Sequence, residues 1–485
     1  MPSEPAAPGP RGSLLLGMAR ELRRDQLGTY RRAMTAHGDV ALLAAGPPGR
    51  RVRLHLVTHP DGVQQVLAGN AANYVKDTPF YRELAAAVGD GLLTSDGQRW
   101  RRQRRTLAPL FAHGRLADYV PVMTDEAVRL RRRWTAAAGS PARVDLHAEM
   151  VEYTLRVVGR ALFGAAVDEA VPTIRATFPA LSQQIRRRAT AALPRPCRRL
   201  TAAQRALYAA VDAVVERRRR TPGGGDGDLV SLLLAARDPE TGAPLSNREV
   251  RDQLLIFLIA GHETTATALT FAWHLLGRHP GVQRRVHQEV DEVLGGRVPT
   301  AEDVPRLAWT PMVVKEALRL YPPASAFGRR SVAADRIGGY RIPPGSVVVL
   351  SPWATHRRPD LWPDPERFDP ERFDPAAASG RHRYAWFPFG GGPRACIGAQ
   401  FALTEAVVAT AVVLARHELR SAAAPVPLAT AVTLRPAGPV WCQVAARRPV
   451  ATAPALSSPR RSPGAAARAA PAPGSRPGVA GRFRR

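Results

Sequence analysis

Phe389-Gly390-Gly391-Gly392-Pro393-Arg394-Ala395-Cys396-Ile397-Gly398 is the stretch on which the reading of this 485-residue chain turns. It places one thiol at the end of a loop with three consecutive glycines. Glycines let a backbone turn tightly and approach a flat partner with no Cβ in the way, and Phe389 can cover the sulfur side. Residues 397–406 read as a helix beginning at the cysteine. The free N–H groups and positive dipole end of such a helix lower a thiol pKa and hold the anion. A lone cysteine is more often a buried, inert side chain. A thiolate presented on a glycine loop is instead suited to ligate haem iron, where it pushes electron density onto the metal and favours cleavage of the O–O bond.

The loop resembles the haem-binding signature of the cytochrome P-450 monooxygenases, with the phenylalanine, glycine, arginine, cysteine and final glycine at family spacing. That resemblance runs from roughly residue 15 to 448 and implies a mainly α fold with a small β region. In it, haem b (iron protoporphyrin IX) lies between a long oxygen-binding helix and the Cys loop. It makes Cys396 the metal ligand, puts Phe389, Ile397 and Gly398 against the cofactor, and places Arg394 at a haem propionate.

The long helix has its own marks. Ser246-Asn247-Arg248-Glu249 is a capping box opening an apolar run that continues toward His279-Pro280. In its middle stands Ala260-Gly261-His262-Glu263-Thr264-Thr265. A glycine weakens a helix and an interior acid must be paired or solvated, so the cluster is costly without a task. By resemblance Ala260 and Gly261 lie on the distal haem face, where the glycine permits a local opening for dioxygen. Thr264 would hydrogen-bond the dioxygen and Glu263 would relay protons. The structural alternative is that Thr264 bonds a carbonyl one turn earlier. His262 matches a variable position and reads as packing. No H-E-x-x-H metal motif follows, because residue 266 is Ala.

Thr310 with Pro311 reads as a helix start, and Tyr321-Pro322-Pro323 as its end. Within it Glu316 and Arg319 share a face. By resemblance Arg372, in Pro370-Glu371-Arg372-Phe373, joins them in a buried structural triad. An earlier copy, Pro365-Glu366-Arg367-Phe368, is disfavoured by its spacing to Cys396. Trp100 and Arg104 share a helix face and match the pair that reaches a propionate in the family. Arg330, five residues before Asp335, matches another propionate arginine.

The formal net charge is +28, from 69 Lys+Arg against 41 Asp+Glu, while aromatic residues are only 6%. Basic runs without interleaved stacking aromatics give no reason to expect specific nucleic-acid binding. Three widely spaced cysteines, Cys197, Cys396 and Cys442, argue against a disulfide framework and fit a reducing compartment. No 18-residue apolar stretch is evident, since Leu14-Leu15-Leu16 stops at once. No transmembrane segment is therefore expected, and the location is read as cytoplasmic. Residues 1–12 and the Ala/Pro/Arg tail 451–485 read as disordered, flanking one haem domain over 13–450; Thr221 to Asp228 reads as a flexible loop.

The expectation is a haem-thiolate monooxygenase inserting one atom of dioxygen into an apolar small molecule, such as a terpenoid, polyketide or fatty acyl group, in specialised metabolism. Electrons would come from NAD(P)H through separate redox partners, a ferredoxin or flavodoxin with its reductase. Arg101, Arg102 and Arg105 would make the proximal surface basic and attract an acidic electron carrier. The competing readings are a peroxygenase, a haem-thiolate isomerase or dehydratase, and a non-catalytic gas-binding protein. Leu258 and Ile259, residues 324–327 and residues 433–440 are the expected pocket segments.

Overall fold

The computed structural model describes residues 5–137, 142–164, 176–177, 180–185, 187–188, 201–220, 228–430 and 432–447. The tail from residue 448, the glycine loop 221–227 and Cys197 lie outside the described residues.

A 32-residue helix, Asn247–Arg278, runs through the core. It begins as the sequence reads: the Ser246 hydroxyl accepts from the Glu249 N–H, and the Glu249 carboxylate accepts from the Ser246 N–H at 2.9 Å. Its middle is predominantly apolar, and neighbouring elements bury most of that length, leaving charged residues such as Arg248 and Arg278 exposed at the ends. Leu254, Leu258, Leu269, Phe271 and Trp273 have no exposed surface. Among the described residues this is the one helix long and apolar enough to cross a membrane, and 78% of its apolar window is buried inside the protein.

Helices Leu146–Phe163, Trp309–Leu320 and Ala399–Leu414 pack against it. Phe271 stacks on Tyr321 with ring centroids 4.0 Å apart. The Trp273 indole donates to Thr410 Oγ1 at 3.0 Å, fastening the long helix to the helix that follows the Cys loop. Trp309–Leu320 does not use Thr310 as its cap. The Glu289 carboxylate, from the helix Pro280–Leu294, accepts instead from the Thr310 N–H at 2.9 Å and the Thr310 hydroxyl at 2.6 Å.

The β region is a five-stranded sheet of order β1-β2-β8-β5-β3. Its strands are β1 (Val40–Ala45), β2 (Val52–Val57), β3 (Tyr74–Val75), β5 (Phe327–Ser331) and β8 (Val347–Leu350). Only β2 and β8 run parallel; β5 pairs antiparallel with β8, setting Arg329 opposite Val348 and Arg330 opposite Val347. A smaller sheet of β4 (Ala142–Asp145), β12 (Trp441–Ala446) and β9 (His417–Ser421) flanks the helices. Two hairpins complete the set, β6 (Asp335–Ile337) with β7 (Tyr340–Ile342) and β10 (Leu428–Thr430) with β11 (Leu434–Pro436).

The disorder expected for residues 1–12 does not hold from Pro5 onward. The Pro8 carbonyl accepts from the Leu42 N–H at 2.7 Å, the Pro5 carbonyl from the Arg341 N–H at 3.3 Å, and Ala7 is buried. A composition poor in apolar side chains is stabilised here by backbone hydrogen bonds to β1 and β7.

Candidate active site

The Cys loop is built from the turn up. Gly390 and Gly392 have φ of +69° and +63°, a region L side chains avoid. A Cβ on Gly392 would also stand 1.8 Å from the Leu67 carbonyl oxygen. One turn of 3-10 helix, Gly392–Arg394, leads to Cys396, whose N–H donates to the Phe389 carbonyl at 2.9 Å. The helix itself starts at Ala399, three residues later than read from sequence. Cys396 is a free cysteine with accessible surface, and it lines the chamber described below. Burial raises the thiol pKa; the Gly398 N–H and the charges of Arg104 and Lys76 oppose it without reversing it. The expected lowering is therefore not achieved by the helix end alone. A coordinating cation deprotonates a thiol outright.

The chamber, about 380 Å³, lies between this loop and the long helix. Ala260, Gly261, Glu263 and Thr264 line one wall; Phe389, Gly390, Arg394, Ala395, Cys396, Ile397 and Gly398 line the other. The long helix continues unbroken through Ala260–Thr265, where a local opening had been expected. The Thr264 hydroxyl donates to the Ala260 carbonyl at 2.6 Å. Glu263 is 6% exposed, and its Oε2 has no hydrogen-bond partner. Burial raises its pKa; nearby Thr433 and Arg435 pull it down, although Thr433 Oγ1 makes no hydrogen bond of normal geometry. His262 donates from Nδ1 to the Leu258 carbonyl at 2.7 Å, and burial lowers its pKa to about 4. It is a neutral packing residue.

Cations collect on the Cys-loop side. Trp100 and Arg104, on helix Gly97–Leu107, both line the chamber, and Arg104 also donates to the Ala395 carbonyl at 3.1 Å. Arg394 lies 4.2 Å over the Trp100 ring, donates to the Ser95 carbonyl at 3.1 Å and pairs with Asp96. Arg330 is the exception. Its side chain pairs with Asp77 at 3.5 Å and does not reach the chamber. Strand residues alternate faces, so in β5 Phe327 and Arg329 point inward and Arg330 points away. Arg329, 5% exposed and 3.4 Å from the Tyr81 hydroxyl, is the arginine of this strand that lines the chamber. Lys76 was also missed: it is 7% exposed, lines the chamber and donates to the Leu93 carbonyl at 2.8 Å. Its pKa is driven well down by burial and by the neighbouring Arg329 and Arg394.

Three arginines and a lysine beside a single thiol suit an anionic occupant even though Arg394 already pairs with Asp96, because buried positive charge is best stabilised when paired. A flat macrocycle with two carboxylates on one edge and a thiophilic metal at its centre satisfies that donor set. The residues present fit haem b.

Beneath the site, Glu316 and Arg319 have no exposed surface. Arg319 donates to Glu316 from Nε at 2.6 Å and Nη2 at 2.8 Å, and to the carbonyls of His356, Pro365 and Arg367 at 2.7–3.0 Å. Arg372 Nε stands 3.6 Å from Glu316 Oε1, which also accepts from the Asp369 N–H at 3.0 Å. The structure brings these three together and leaves the Arg367 side chain 69% exposed. His356 fixes the next segment: its Nε2 accepts from the Phe387 N–H at 3.0 Å, so the proton sits on Nδ1, facing the Arg319 carbonyl.

Ile259, Ala324, Ala326, Phe327 and Thr433 line the chamber as expected from sequence, while Leu258 packs into the core and residues 434–440 do not reach it. Phe80, Leu84 and Val88 of the helix Pro79–Val88 add apolar wall, as do Val158 and Leu162. No motif marks them.

The family model described as Cytochrome P450 matches residues 7–442. Cyclooctatin synthase of Streptomyces melanosporofaciens is 41% identical over 85% of this chain and 89% of its own length. Cyclooctat-9-en-7-ol 5-monooxygenase of the same organism is 40% identical over 84% and 88%. Pentalenene oxygenase of Streptomyces avermitilis is 33% identical over 83% and 88%. Among solved structures, the haem domain of cytochrome P450DA superposes with a TM-score of 0.81 at 30% identity, over 92% of this chain and 97% of that one. Glycine-cradled thiolate, interior chamber and whole-chain likeness agree: this chain belongs to the cytochrome P450 family, as a monooxygenase using haem b, dioxygen and electrons from NAD(P)H delivered through redox partners.

Proposed function

We propose that this monooxygenase hydroxylates or epoxidises a compact, cyclic hydrocarbon of terpenoid type in specialised metabolism. The observation that carries the reading is the distribution of polarity in the chamber. Cations lie on the Cys-loop side with Trp100, whereas Phe80, Leu84, Val88, Val158, Leu162 and Phe257 leave the substrate space almost wholly apolar. Such a wall offers shape and desolvation, and no anchor for a polar head group. Three of the relatives carry names of terpenoid oxidation.

Haem b supplies oxygen activation when bound, with two electrons and dioxygen giving one oxygen atom to the substrate and one to water. The chain's own residues do the rest. Cys396 ligates the metal. Arg394, Arg104, Trp100 and Arg329, with Lys76, hold the propionates. Thr264 turns its hydroxyl from the Ala260 carbonyl toward dioxygen. Glu263 retains a proton more readily than an exposed glutamate, since burial raises its pKa, and passes it inward. Glu316, Arg319 and Arg372 brace the helix behind. The electron donor is a ferredoxin or flavodoxin with its reductase, in the cytoplasm. Arg102 and Arg105 are partly neutralised by Glu249, Asp238 and Glu240, leaving Arg101 as the freer charge on that face.

The test is an optical spin-state titration of purified holoprotein with cyclic terpenes and with straight-chain fatty acids. Saturable high-spin shifts with the former and weak ones with the latter support the reading; a preference for fatty acids overturns it. Product formed without NADPH would instead favour an isomerase.

A further inference from the structure

We propose that the leucine tip at residues 14–16, with the arginines around it, is a docking surface for an anionic lipid bilayer. Leu14, Leu15 and Leu16 are 90%, 75% and 45% exposed, and Val52 beside them is 44% exposed. Four of the seven large apolar side chains exposed among the described residues thus fall in one place. Scattered exposed apolar residues need no explanation, but a cluster does.

The tip is held rigidly. Ser13 and Gly17 exchange backbone hydrogen bonds at 3.0 and 2.8 Å, and the Leu16 N–H donates to Ser13 Oγ at 3.0 Å. The Gly46 N–H donates to the Leu16 carbonyl at 2.9 Å, and the Met18 N–H to the Ala44 carbonyl at 2.8 Å. Arg51 clamps the back of the turn through the Leu14 carbonyl at 2.5 Å. These bonds bring exposed Pro47 and Pro48 next to the leucines. Backbone satisfied behind and leucines aimed outward describe a fixed knuckle rather than a fraying end.

The charge around the tip is predominantly positive. Arg11, Arg20, Arg23, Arg24, Arg50, Arg51 and Arg53 are exposed, and none forms an ion pair among the described residues. The two nearby acids are Glu21, which is half-buried, and Asp25, which is exposed and paired with Arg32. Apolar side chains that insert shallowly, ringed by arginine, match the interface of an anionic membrane, where burial and headgroup attraction act together. A protein partner fits less well. Four exposed apolar side chains fall far short of the roughly 800 Å² that each partner of a stable interface covers.

The test is co-sedimentation of full-length holoprotein with vesicles of phosphatidylcholine containing about a quarter phosphatidylglycerol, and with pure phosphatidylcholine. Binding to the anionic vesicles, weakened by salt, is expected. The variant Leu14→Ser/Leu15→Ser should bind roughly tenfold more weakly while keeping the same ferrous carbon monoxide spectrum and solubility. Arg23→Gln/Arg24→Gln should lose part of the salt-sensitive share. No vesicle binding overturns the proposal. So does binding untouched by the leucine substitutions, which would assign it to the basic tail. A dimer dispersed by the leucine variant also overturns it, because the occupant is then a second copy.

Discussion

Glu316→Ala removes the acceptor on which two guanidinium groups converge. In the folded protein Arg319 loses two charge-assisted bonds of 2.6 and 2.8 Å, Arg372 loses its 3.6 Å ion pair, and the Asp369 N–H loses its acceptor. The carbonyls of His356, Pro365 and Arg367 still serve Nη1 and Nη2 of Arg319, but Nε is left bare in a side chain with no exposed surface. Breaking a buried pair from one side costs about 3–5 kcal/mol, a large share of the roughly 5–15 kcal/mol that holds a domain folded. At about 1.4 kcal/mol per decade, the unfolded fraction rises by about two to three and a half orders of magnitude. Urea unfolding followed by circular dichroism, with haem content measured on the same preparations, reads both effects. The expected result is a midpoint far below that of the parent and a protein recovered largely without haem. The control is Arg367→Ala, an exposed side chain in the duplicate motif, expected to stay within about 0.5 kcal/mol. Stable Glu316→Ala holoprotein with a shift under about 1 kcal/mol would refute the reasoning.

Two more expectations follow from single side chains. Arg329→Ala should speed haem transfer to apomyoglobin by tenfold or more, since a lost hydrogen bond to a charged group is worth about 1.5–3 kcal/mol; Arg330→Ala should change it little. Equal effects would contradict the strand register. Glu405 has no exposed surface and no partner at either carboxylate oxygen, and burial alone raises its pKa well above the ordinary range. The folded state therefore keeps a proton that the unfolded chain releases above about pH 4.3. Stability from this group is intact below that pH and falls as pH rises toward the folded-state pKa. Glu405→Gln should raise the melting temperature at pH 8 and leave it nearly unchanged at pH 4; a loss at pH 8 would show that the carboxylate is ionised and paired.

Much of the site was legible because its chemistry is local. The glycines around Cys396 answer to backbone angles and close approach, the capping box at Ser246 to one turn of helix, and Glu316 with Arg319 to helical spacing. What was misread depends on distant parts of the chain. Arg329 and Arg330 are adjacent in sequence, and only the pairing of β5 with β8 decides which faces inward. Lys76 is a single lysine before a helix, brought to the chamber by β3 against β5. Residues 5–12 look structureless until Leu42 of β1 and Arg341 of β7 donate to their carbonyls. The start of the Trp309–Leu320 helix is capped by Glu289, from another helix, where Thr310 had been expected. Apolar wall residues such as Leu84 and Val158 carry no signature, since a pocket lining and a core are made of the same side chains.

The central claim is that Cys396 binds haem iron as a thiolate, and the spectrum of the ferrous carbon monoxide adduct tests it most directly. The parent protein should show the strongly red-shifted Soret band that thiolate ligation produces, and Cys396→Ala should lose it even if haem is retained. A red-shifted band that survives in Cys396→Ala would contradict the account.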